Sequence, residues 1–154
     1  MNKIIVVLIT IGVIGAGGYF IAKEVGFITP STEYPTATQI PFSTASLASM
    51  VEDDQIQDIL NQIQVTIYGV NNKDAQTVIA WYDSVMIKDG WNLVKTWQGS
   101  GTGWSSIAKG WQKGITGEAI LVWSGSKVKQ KSNYDCVIVV ATAPLSVWEK
   151  ILRS

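Results

Sequence analysis

The spacing of apolar residues changes several times along the chain, and each change marks an expected element. From Ile4 to Ala22 the residues are apolar or small, with no charge between Lys3 and Lys23. About nineteen residues rising about 1.5 Å each make a helix of roughly 28 Å, close to a bilayer core. A lipid-embedded span over residues 4–22 is therefore expected. Periodicity then lapses. Residues 29–49 are crowded with Thr and Ser, and Pro30, Pro35 and Pro41 deny regular hydrogen bonding. This stretch reads as an extended tether, with residues 39–44 (QIPFST) as an alternative edge strand because of Ile40 and Phe42. Helical spacing appears at Ile56, Ile59, Leu60 and Ile63, with Asp53 and Asp54 at the end where the helix dipole favours anions.

The period then shortens to two. Ile63, Val65 and Ile67 alternate with Gln64, Thr66 and Tyr68, the pattern of a half-buried strand. A turn follows in which Asn72 or Asp74 can cap the next helix. Val78, Tyr82 and Val85, flanked by Ile79, Trp81 and Met86, form its apolar stripe. Lys73, Asp83 and Lys88 fall off that stripe, so Asp83 is expected to face water. Gly90 stands where a helix C-terminus belongs, and a strand begins at Trp91. Two more strands, residues 104–114 and 116–125, join through a glycine-flanked turn. The second sets Ala119, Leu121 and Trp123 against Glu118, Ile120 and Val122. Residues 124–135 read as a polar hairpin connection, and residues 134–143 are apolar on both faces, as a central strand is. Pro144 suits a helix start, Ser146 and Glu149 have capping-box spacing, and Leu145, Trp148, Ile151 and Leu152 share a face. The expected architecture is α+β: a transmembrane helix, then an antiparallel sheet of about four to five strands packed by two or three helices. The chain divides into an anchor at 1–28, a linker at 29–50 and a domain outside the cytoplasm at 51–154.

Composition narrows the chemistry. Acidic and basic residues balance at 12 each, so no net field draws the chain to nucleic acid. Histidine is absent, which removes the commonest general base and transition-metal ligand. One cysteine, Cys136, excludes an internal disulfide and a Cys-rich zinc site; no metal or cofactor is expected. Lys3 and the amino terminus on one side of the apolar run, against paired Lys23 and Glu24 on the other, place the N-terminus in the cytoplasm. Cleavage near Ala16, Gly17 and Gly18 would instead release a secreted domain. Gly12 with Ala16, and Gly18 with Ala22, are spaced for close approach of a second helix, as in a homo-oligomer.

The glycine cluster of residues 98–104 (QGSGTGW) satisfies neither G-x-G-x-x-G nor the P-loop pattern, and reads as a hairpin connection. Ser106 and Lys109 have Ser-x-x-Lys spacing but lie in an expected strand, where positions three apart face opposite ways. Asp83, Glu118 and Asp135 show no spacing that pairs two carboxylates. Lys127, Lys129 and Lys131 read as a solvated turn. Among seven tryptophans, Trp81, Trp91, Trp123 and Trp148 fall on apolar faces. Trp97, Trp104 and Trp111 flank the glycine cluster in more polar company, and are the candidate contacts for a ligand or partner.

Residues 67–97 carry Tyr68 closing a strand, Val78, Trp81 and Tyr82 on a helix, and Gly90-Trp91 before the next strand. This resembles a pattern of small membrane-anchored or secreted prokaryotic α+β domains without an assigned activity. The resemblance implies an anchored or secreted domain and brings no catalytic residues. The expected function is therefore non-enzymatic: an envelope or membrane-complex component held in the bilayer by residues 4–22 and contacting a protein partner. The alternative is a glycan or small-ligand binder using the three tryptophans.

Overall fold

The computed structural model describes residues 33–40 and 54–153. In chain order these form β1 (Thr38–Ile40), α1 (Asp54–Leu60), β2 (Gln64–Val70), α2 (Ala75–Lys88) and β3 (Asn92–Gly101). They continue through β4 (Trp104–Lys113), β5 (Thr116–Ser124), α3 (Ser126–Ser132), β6 (Cys136–Pro144) and α4 (Leu145–Arg153). The strands make one sheet in the order β1-β2-β6-β5-β4-β3, and every neighbouring pair is antiparallel. The α+β class holds. Among the described residues the sheet has six strands where about four to five were expected. The expected span over residues 4–22 lies outside the described residues, and no helix among those described is long and apolar enough to cross a membrane.

The sixth strand is β1. Thr38, Gln39 and Ile40 pair with Gly69, Tyr68 and Ile67, and the Tyr34 ring packs edge-on to Trp81 at 5.1 Å. Residues 33–40, within the expected tether, thus pack on the domain, and Gln39 and Ile40 lie in a strand as the alternative reading of that stretch has it. A second revision concerns residues 124–135, expected as a hairpin connection but holding α3. Its one apolar residue, Val128, is fully buried, and Asn133 ends the helix in the left-handed region at φ 66°. The helix forms because Val128 has a core to enter, which no local periodicity announces.

Both sheet faces are covered. On one, Ile67, Leu121, Val139 and Trp148 pack with Leu60 of α1, Val128 of α3 and Ile151 of α4. On the other, Tyr68, Ile120, Val122 and Ile138 meet Val78, Ile79, Tyr82 and Met86 of α2, with Tyr34 beside them. The alternation in β2 and β5 sorts residues to these faces as their sequence spacing anticipates. β6 lies between β2 and β5 and is buried on both sides.

α2 carries the chain from β2 to β3, four strand positions away. Its 14 residues span about 21 Å and run along the strands, over β5 and β4. Asp74 caps its start by accepting the Thr77 N–H at 2.8 Å. At its finish Gly90, at φ 84°, donates to the Ile87 carbonyl at 3.1 Å, and the Trp91 N–H reaches the Met86 carbonyl at 2.9 Å. That pairing is a Schellman closure, and the left-handed conformation it needs favours glycine. The Ala75 N–H donates to Ser124 Oγ at the end of β5, and Lys113 Nζ at the end of β4 donates to the Asp89 carbonyl. α2 therefore lies along the sheet and marks two ends of the domain, one at Ser124 and one at Trp91.

Candidate functional site

The three tryptophans expected as contacts do not come together. Trp97 is 7 % exposed and packs on the face under α4, whereas Trp111 is 1 % exposed on the opposite face under α2. Trp104 is half-buried beside Trp123, ring centres 6.3 Å apart. Lys95 Nζ stands 5.4 Å from the centre of the Trp97 ring. β4 explains the split: Trp104 and Trp111 are an odd number of residues apart, so a regular strand turns them to opposite faces.

The same parity separates Ser106 from Lys109. Ser106 Oγ lies 3.5 Å from the Gly99 carbonyl, while Lys109 Nζ reaches through to α2 and binds Asp83 at 2.6 Å. Asp83, expected to face water, is thus held by a partially buried ion pair. Asp135 accepts the Asn72 N–H at 2.7 Å and lies 3.6 Å from Lys129. Glu118 is fully buried, its register neighbours being Trp111 and Thr142. The three carboxylates occupy separate settings. Tyr68 beneath α2 has its hydroxyl pKa pushed up to about 12, first by burial and then by the charges of Glu33 and Glu118. Burial likewise raises Tyr82, with Tyr68 next in importance. Burial also pushes the Cys136 thiol up to about 12, and its Sγ lies 3.0 Å from the Lys73 carbonyl, so at neutral pH it is an inert thiol.

Two regions of the surface have the shape for recognition. The first is the outer edge of β3. Among the described residues, this ten-residue strand pairs only with β4, and a bulge between Leu93 and Lys95 interrupts its register. Leu93 and Val94 are 49 % and 45 % exposed. Ile87, in the last turn of α2, and Ile115, in the β4–β5 turn, are exposed at the same Trp91 end.

The second region lies at the Ser124 end. A trough of about 530 Å³ runs between the first turn of α2 and the β3–β4 hairpin, with Ile107 in its floor. Gln76, Gln98, Ser100, Ser105 and Ser124 line it. A neighbouring trough of about 660 Å³, reaching Lys73, Lys129 and Asp135, shares Asp74 and Ser124 with it. The Asp74 carboxyl is held below the usual carboxylate range, chiefly by the Thr77 backbone N–H, so it is ionised at neutral pH. The loops are tied there by Lys129, whose Nζ donates to Asn71 Oδ1 at 3.1 Å, and by the Asp135 N–H, which reaches the same oxygen at 3.2 Å.

Set against family models, curated proteins and solved structures, the chain matches none. Its site must be read from geometry alone. Ser106, also in the lining of the trough, stands out in the sequence for its spacing from Lys109; the other serines and the glutamines do not, because hydroxyl and amide groups scattered over four segments form no motif. The glycine cluster at 98–104 was the nearest signal, since it builds the hairpin that forms one wall. Among the described residues, no group of three or more His, Cys, Asp or Glu is placed to hold a metal ion.

Proposed function

We propose that the chain is a membrane-tethered interaction domain, held by residues 4–22 and contacting a partner protein outside the cytoplasm along the edge of β3. One observation carries this reading: a ten-residue strand that has a single neighbour among the described residues and carries exposed Leu93 and Val94 near its start. An edge of this kind offers unpaired N–H and C=O groups at a spacing that another extended polypeptide matches. The apolar side chains at its start add contact area that a partner would remove from water. Lys95 and the bulge limit indiscriminate pairing at that point, leaving Thr96 to Gly101 as the stretch for an added strand.

The test is a photo-activatable residue placed singly at Val94 or Thr96 in the full chain, expressed in its own membranes. Control positions are Gln62 and Lys150. A discrete adduct from the β3 positions, absent from the controls and lost on Leu93→Glu, is the expected result. Adducts equal at all positions, or none from β3, would overturn the proposal.

A further inference from the structure

The trough at the Ser124 end has features that strand addition does not use. Its volume of about 530 Å³ falls within the range of about 300–1,000 Å³ typical of small-molecule sites. Gln76, Gln98 and Ser100 stand exposed on its walls, Ser124 is buried at its base, and Ser105 lies 3.5 Å, hydroxyl to hydroxyl, from Ser124. Each amide offers two donors and an acceptor oxygen, and each hydroxyl offers both roles. Among the described residues no lysine or arginine lines this trough, so they supply no counter-charge for a phosphate or carboxylate. Its one carboxylate, Asp74, is already engaged by Thr77, so a cation finds only a shared partner.

We infer that this trough binds a small uncharged polyhydroxylated molecule, with the chemistry of a sugar or a sugar chain. Such a ligand presents alternating O–H donors and acceptors that the amides and hydroxyls of Gln76, Gln98, Ser100 and Ser105 complement. The apolar edges of Ile107 and Ala75 take the C–H face of a ring. Gln98 and Ser100 share one side of β3, and Ser105 is the register partner of Ser100, so the wall is set by strand pairing and needs little reordering.

The experiment follows amide ¹H–¹⁵N shifts of the full chain in micelles of a detergent without a sugar headgroup. The probes are glucose, maltose, the N-acetylglucosamine disaccharide and maltohexaose, with inorganic phosphate as the charged comparison. Saturable shifts centred on Gln76, Gly99, Ser100 and Ser105 with at least one saccharide are expected. Saturation by a single sugar identifies a free sugar as the ligand; affinity that rises with chain length identifies a polysaccharide. Gln76→Ala combined with Gln98→Ala, both at exposed positions, should weaken binding about fivefold or more through lost hydrogen bonds. No saturation by any saccharide at about 10 mM, well beyond a millimolar dissociation constant, overturns the inference. So do shifts centred elsewhere, equal binding of phosphate, or unchanged affinity in the double variant. Crosslinking from Val94 and sugar-induced shifts at Gln76 succeed or fail separately.

Discussion

Trp148 is fully buried because the strands beneath it carry no side chain at two points. Its ring lies over Gly110 and Gly117, and a Cβ at Gly117 would fall inside the ring system. Close approach, not an unusual φ, is what requires glycine there. Gly117→Ala should therefore overpack this face and cost about 1–3 kcal/mol, read as a lower urea midpoint at unchanged slope. A midpoint equal to the parent's would show that α4 can shift to make room. Single residues were legible where strand parity decides direction: Ala119, Leu121 and Trp123 share one face, as their alternation implies. Asp83 was not legible, because its neighbour Lys109 comes from β4, 26 residues on.

At the level of elements, α2 shows local signals acting together. Asp74, the apolar stripe and Gly90 each mark their place in the sequence, and each takes that place in the structure. Asp74→Ala removes the acceptor for the Thr77 N–H and should destabilise the domain by about 1 kcal/mol. Thermal melts across acidic pH check the cause. The folded pKa of Asp74 lies below its unfolded value of 3.8, so its contribution is complete above that value. The contribution is lost as pH falls through the folded pKa, and the gap between parent and variant should close in the same window. A gap that persists at lower pH would assign the loss to something other than the carboxylate. α3 behaves differently. Its lysines and single valine form no stripe, and burial of Val128 decides its conformation. β1 was legible in part, as the edge strand that Ile40 offers, but its start at Thr38 and its pairing with β2 leave no local mark.

For the whole molecule, the proposed tether makes a direct prediction. The full chain should stay with vesicles in alkaline carbonate, and a variant lacking residues 4–22 should be released. Release of the full chain, or a mature chain beginning near residue 19, would remove the anchor from the proposal. The sequence by itself determined the periods of its segments, the two-faced apolar character of β6 and the absence of histidine chemistry, because each is written in adjacent residues. Only the tertiary structure decided that, among the described residues, β3 is an edge, Trp97 and Trp111 are buried on opposite faces, and four separate segments wall the trough beside Ser124. Periodicity is set by a residue's own direction along the backbone. Strand order depends on pairings such as Ile67 with Val139, between residues far apart in sequence, which leave no local mark on either segment.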